Sequence, residues 1–145
     1  MKKYLVATHG TFAEGIKQSV KIIAGEYYAN KLQTVCAFVD DKDFTNEIEL
    51  FIDSLVQDDQ GIIFTDLYGG SVNQKVTLLR QSSDKNIEII SGINLPLLLE
   101  IVLNADEVQT HEELDELLQL GRQEIKFSPS EELNCLDIKD SEFFD

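Results

Sequence analysis

The sequence predicts an α/β fold of the doubly wound type, a parallel sheet with helices on both faces, and three observations predict it. Short apolar runs alternate with segments whose apolar residues recur at helical spacing. The chain has 145 residues, 43% of them hydrophobic, with no long Pro/Ser linker, which is the size of one domain able to bury a sizeable core. Two of the apolar runs end in motifs that combine a titratable residue with glycine, Thr8-His9-Gly10 and Phe64-Thr65-Asp66-Leu67-Tyr68-Gly69-Gly70-Ser71. Open α/β sheets place ligands at such strand ends.

Tyr4 to Thr8 is short, apolar and bounded by Gly10, so it reads as a buried strand. Phe12, Ile16, Val20 and Ile23 or Ala24 then recur at helical spacing until Gly25. Leu32 to Val39 supplies a second strand ending in Asp40-Asp41, and Phe44, Ile48, Phe51, Ile52 and Leu55 form the stripe of a second helix. Gly61 to Thr65 is a third strand. Gly69-Gly70 turns the chain, and Val72, Val76 and Leu79 mark a helix to about Ser82. Asn86 to Ile90 is the fourth strand. Units of this length call for parallel pairing, because right-handed crossovers put the helices on the sheet faces.

Ser91-Gly92-Ile93-Asn94-Leu95-Pro96 opens a helix whose first turn suits Pro96 and whose apolar body is Leu97 to Leu103. Thr110 caps the next, with Glu113 completing a capping box, Leu114, Leu117, Leu118 and Leu120 as the buried face, and Gly121 as the end. Arg122 to Phe127 alternates in the manner of a final edge strand. Residues 128–145 carry six acidic residues against Lys139 alone, yet Leu133, Leu136, Ile138, Phe143 and Phe144 argue against a wholly solvated tail.

Lys and Arg total 12 against 27 Asp and Glu, a formal charge of -15, which disfavours nucleic acid because phosphate contacts come mainly from cationic side chains. The same field attracts a basic protein surface or serves solubility. The opening Met-Lys-Lys-Tyr-Leu-Val-Ala is too short for a signal-peptide core, and Leu95 to Leu103 is broken by Pro96 and Glu100, so a soluble, cytoplasmic protein is expected. Cys36, expected to be buried in a strand, and Cys135 have neither metal-ligand spacing nor the number for a disulfide framework.

If Tyr4 to Thr8 and Ile62 to Thr65 are neighbouring parallel strands, His9 and Asp66 emerge side by side. Neutral histidine is nucleophilic near physiological pH, and its two ring nitrogens can take separate roles. Asp66 is suited to accept one ring N–H, fix the tautomer and stabilise positive charge as a phosphoryl group arrives. Which nitrogen reacts is open at this level. Gly10, Gly69, Gly70 and Ser71 lie where backbone N–H groups and helix N-termini can surround phosphate oxygens, and Ser71 or Thr8 can add a hydroxyl. One His and one Asp do not complete a tetrahedral zinc site, so no metal is expected, and His111 lacks catalytic company. Neither GxxxxGK[ST] nor a Gly-x-Gly-x-x-Gly after strand one is present, so no nucleotide cofactor is expected and the phosphate donor is something other than free ATP.

With Ala7-Thr8-His9-Gly10, Thr65 to Ser71, Ser91 to Pro96 and Gly121-Arg122 in that order, the chain resembles the mannose-family enzyme IIA domain of the bacterial sugar phosphotransferase system. The match spans most of residues 1–127 and leaves 128–145 as an acidic tail. The resemblance implies a phosphohistidine carrier: the histidine-containing phosphocarrier protein phosphorylates His9, and His9 passes the group to a histidine of enzyme IIB, with Asp66 as its hydrogen-bonding partner. Contact with the membrane is then only indirect, through the sugar permease complex. It also implies a four-stranded parallel core with a late strand exchanged between two subunits, fitting Arg122 to Phe127 and a homodimer. Two departures mark this chain: Val72-Asn73-Gln74 replaces a Pro-Phe-Asn type of continuation, and no IIB domain is fused behind the acidic segment. The phosphocarrier subunit of some dihydroxyacetone kinases resembles the same region, and a non-catalytic regulatory or small-ligand-binding module is the reading from another class.

Overall fold

The computed structural model describes residues 1–104 and 106–129. In chain order the elements are β1 (Lys2–His9), α1 (Phe12–Ala24), α2 (Glu26–Ala29), β2 (Leu32–Ala37), α3 (Thr45–Asp53), β3 (Gln60–Thr65), α4 (Ser71–Gln81), β4 (Ile87–Ser91), α5 (Leu95–Val102) and α6 (His111–Gln123). The four strands pair in parallel in the order β2-β1-β3-β4. Successive side chains of a strand point to opposite faces, and the core divides accordingly. Tyr4, Val6, Ile62 and Phe64 pack under α1, α5 and α6, whereas Leu5, Ala7 and Ile63 pack under α3 and α4. The chain therefore leaves β1 toward one face and β3 toward the other, so a crevice opens where His9 and Asp66 emerge.

The predicted capping signals are present. Thr110 Oγ1 accepts the Glu113 N–H, and the Glu113 carboxylate accepts the Thr110 N–H. Asn94 caps α5 by accepting the Leu97 N–H, with Pro96 in the first turn.

Several expectations are corrected. The second strand stops at Ala37 rather than Val39, because Phe38 leaves extended geometry with φ +66°. A short helix, α2, follows α1 and was not anticipated from the apolar spacing. Gly121 does not end α6; it is buried inside it, and a Cβ there would lie 2.6 Å from Leu97 Cβ. Its role is close approach of α6 to α5. Leu120 is largely exposed, so the buried face of α6 is Leu114 and Leu117, with Leu118 partly covered. Within the single chain Arg122 to Phe127 forms no strand: Arg122 and Gln123 complete the helix, and Ile125 and Phe127 stand exposed. Cys36 lies in β2 but is only half-buried. The tail residues Leu133, Leu136, Ile138, Phe143 and Phe144, together with Cys135, lie outside the described residues.

Candidate active site

The ladder between β1 and β3 ends at the pair Ala7 and Thr65, two residues before β1 itself ends. Asp66, the next residue of the β3 side, supplies a side-chain acceptor there. Its Oδ2 accepts both the backbone N–H of His9 and the ring Nδ1–H, each at 2.9 Å, while Oδ1 accepts the Leu67 N–H at 3.0 Å. An ionised carboxylate accepts only, so a neutral imidazole held here carries its proton on Nδ1 and its lone pair on Nε2. Burial works against ionisation of Asp66. The His9 backbone N–H, the His9 ring and the Leu67 N–H outweigh it and hold the carboxyl below its ordinary range.

Nε2 points to the amino end of α4, where Ser71 Oγ lies 3.1 Å away, placed to donate its hydroxyl proton to the neutral ring. That helix has no side-chain cap, so its first-turn N–H groups are unused by the helix and face the same region with the positive end of its dipole. Gly70 is the residue before it. A Cβ on Gly70 would come within 3.0 Å of Leu67 Cβ and 3.5 Å of His9 Cε1, so glycine keeps the space above the imidazole clear.

The other sequence-predicted residues shape the turns rather than offering free donors. Thr8 is fully buried, and its Oγ1 accepts the Ala13 N–H at 2.8 Å, tying β1 to the first turn of α1. The Gly10 N–H bonds to Ala37 O at 2.8 Å, the Gly70 N–H to Leu67 O at 3.0 Å, and the Gly69 N–H to Asn73 Oδ1 at 3.0 Å. At Gly10 and Gly69 the backbone φ is +58° and +75°, the left-handed region that glycine enters without a Cβ clash. Of the predicted phosphate-binding group, Ser71 alone presents a side-chain donor to His9.

Sequence reasoning missed two supports. Asn73 is buried, bonds through Oδ1 to Gly69 and donates through Nδ2 to Thr65 Oγ1, which in turn donates to Ser91 Oγ. Gln74 donates to Gly69 O. Both backbone groups of Gly69 are thus clamped by side chains at the very positions where Asn73-Gln74 departs from the Pro-Phe-Asn pattern. The second support is Phe38, whose ring stacks on the imidazole at a centroid distance of 5.5 Å.

Exposed Phe38, Leu67 and Tyr68 belong to the turns that flank His9, and exposed Phe12 opens α1 beside it. His111 is exposed at the start of α6, with its Nδ1 3.4 Å from Glu88 Oε2. Among the described residues no group of three or more His, Cys, Asp or Glu side chains is arranged to hold a metal, and no helix is long and apolar enough to cross a membrane.

A family model described as the PTS system fructose IIA component, EIIA-man, matches residues 3–118. Solved structures agree. A protein of Klebsiella pneumoniae, described as a phosphoenolpyruvate-dependent sugar phosphotransferase system permease, is 31% identical with a TM-score of 0.75, over 87% of this chain and 90% of that one. A PTS IIA protein associated with the fucose utilization operon of Streptococcus pneumoniae is 27% identical with a TM-score of 0.71, over 87% and 92%. The phosphotransferase component EIIA of Streptococcus agalactiae is 26% identical with a TM-score of 0.69, over 88% and 97%.

Proposed function

The chain belongs to the EIIA-man family of phosphotransferase-system IIA components, and from that premise we propose that His9 is its phosphoryl carrier, reacting through Nε2. The observation that carries this reading is the asymmetric hold on the ring, Nδ1 fixed by Asp66 at 2.9 Å and Nε2 left with its lone pair beside Ser71 and the α4 amino end. In the forward step the Nε2 lone pair attacks phosphorus while the bond from phosphorus to the donor's histidine nitrogen breaks, and that electron pair stays with the donor. The carrier ring becomes cationic, and Asp66 stabilises it across the Nδ1–H bond. The Ser71 hydroxyl turns from Nε2 to a phosphoryl oxygen, joined by first-turn N–H groups of α4. Transfer onward reverses these movements, so neither a nucleotide nor a net proton is consumed.

The donor proposed is the histidine-containing phosphocarrier protein and the acceptor a sugar-specific enzyme IIB, which makes the protein a cytoplasmic component of sugar uptake. Incubation with phosphoenolpyruvate, enzyme I and the phosphocarrier protein, followed by intact-mass measurement, tests the reading: a gain of one phosphoryl group on His9 is expected, and no gain refutes it. Discharge by a IIB protein, rather than by a dihydroxyacetone kinase subunit, identifies the acceptor.

A homodimer with an exchanged strand fits the same reading. β4 pairs only with β3 among the described residues and so leaves an open edge. A groove of about 660 Å³ lies along that edge, lined by Leu78, Ile89, Ile90 and Leu118. The exposed Ile125 and Phe127 supply apolar side chains of the kind such a groove covers.

A further inference from the structure

Phe38 is the one non-glycine residue among those described with a positive φ, at +66°. The left-handed region is costly for a bulky aromatic side chain, and such outliers persist where their surroundings over-determine them. Burial does not explain this one, because Phe38 is 62% exposed. What the conformation achieves is a stack. The Gly10 N–H bonds Ala37 O at 2.8 Å, drawing the end of β2 against the His9 turn. From there the left-handed step at Phe38 carries its ring over the imidazole, at 5.5 Å between centroids and 29° between planes. Phe44 meets Phe38 edge-on at 5.2 Å and 67°, backing the ring from α3's side.

We propose that Phe38 is a positioning residue for His9, holding the plane of the imidazole and stabilising the cationic ring that forms on phosphoryl transfer. The hydrogen bonds of Asp66 and Ser71 lie at the ring edge and fix its in-plane direction. Tilt about the line joining those bonds is what an aromatic face restrains. A cation over or beside an aromatic face is also favoured electrostatically. The second role rests on the carrier reading; the first does not.

Three variants test it: Phe38→Gly, which relieves the backbone and removes the ring, Phe38→Leu, which keeps apolar bulk, and Phe38→Tyr, which keeps the stack. Phe38→Gly is expected to be at least as heat-stable as the parent, yet slower in phosphoryl transfer by about two- to fivefold, the factor that an exposed cation–π contact is worth. Phe38→Tyr should restore the rate. The His9 Nδ1–H proton resonance should be sharp in the parent and in Phe38→Tyr and broadened by exchange in Phe38→Gly and Phe38→Leu. An unchanged resonance in Phe38→Gly overturns the proposal, including the case in which transfer slows only through weaker partner affinity. Should the parent protein accept no phosphoryl group, the carrier reading falls, while the resonance still decides whether Phe38 positions the ring.

Discussion

A single oxygen of Asp66, Oδ2, accepts both the backbone N–H and the ring Nδ1–H of His9 at 2.9 Å, so one carboxylate sets strand end and tautomer together. Asp66→Asn leaves one carbonyl oxygen able to accept both of these bonds, but it sets an NH2 against the Leu67 N–H and lacks the negative charge that balances the cationic ring. The fold is expected to persist at neutral pH, with phosphoryl transfer slowed by about a hundredfold or more, the scale of a lost electrostatic stabiliser. Rapid-quench transfer assays in both directions check this; wild-type rates would reduce Asp66 to a turn residue.

The same pair makes a pH prediction. The folded carboxyl titrates below its unfolded value, so the stabilisation is complete above the ordinary carboxylate range and fades as pH falls through the lowered folded value. The stability difference between the parent and Asp66→Asn should therefore shrink as pH falls below about 4, the usual range of an unfolded aspartate. Urea titrations at a series of pH values read this directly. A difference that grows as pH falls below about 4 contradicts it.

His9→Ala should remove phosphoryl acceptance and leave the fold nearly unaffected, since the side chain is 37% exposed at a strand end. Asp66 keeps the backbone donors of residue 9 and Leu67. A stability loss of about 1 kcal/mol, that of one hydrogen bond, is expected. Intact mass at neutral pH and a thermal melt measure the two effects.

Much of this was legible in the sequence because it rests on periodicity. The runs around Leu5, Val35, Ile63 and Ile89 are apolar because strands buried on both faces must be, and the helical stripes between them force parallel pairing. The juxtaposition of His9 and Asp66 follows from strand ends alone. Less legible was anything decided by direction rather than composition. The glycines of the turns read as phosphate donors, yet their N–H groups are spent on Ala37, Leu67 and Asn73, because a turn this tight must first satisfy its own backbone. Gly121 read as a stop signal, but a helix can continue through glycine where a neighbour such as Leu97 needs its space. Phe38 carried no signal, since nothing in its identity announces a left-handed backbone.

Asn73 offers a test of the loop clamp. Replacing it with Ala takes the acceptor from the Gly69 N–H, which water can supply because Gly69 is exposed, and removes a donor from the buried Thr65 Oγ1. About 1–3 kcal/mol of stability should be lost, the range for a buried group left unsatisfied. Slower transfer should accompany it, because Asp66 and Ser71 bracket the loosened turn. A stable variant with unchanged transfer shows that the clamp is dispensable.

At Gly121 two effects of opposite sign compete. Alanine in a helix is favoured over glycine by about 1 kcal/mol, whereas forcing a methyl against Leu97 Cβ, which it would meet at 2.6 Å, costs about 1–3 kcal/mol as overpacking. Gly121→Ala is expected to be destabilised on balance. A rise in the urea midpoint would show that α5 and α6 separate easily.

The assembly prediction follows from where α6 ends. Truncation must begin after Glu124, because Gly121 is part of the packing against α5 and its loss would confound the result. Deleting 125–145 removes Ile125 and Phe127, the side chains proposed to cross to the open edge of β4 in a second copy, and should weaken or abolish the dimer. Deleting 130–145 keeps them and should not. An exchanged strand contributes main-chain hydrogen bonds as well as apolar contact, so point changes at Ile125 alone should be milder than the longer truncation. Sedimentation velocity at micromolar concentration separates the outcomes. A parent protein that is monomeric there, or a dimer that survives loss of 125–145, removes the exchanged strand and leaves the chemistry at His9 standing on the hold that Asp66 and Ser71 exert on its ring.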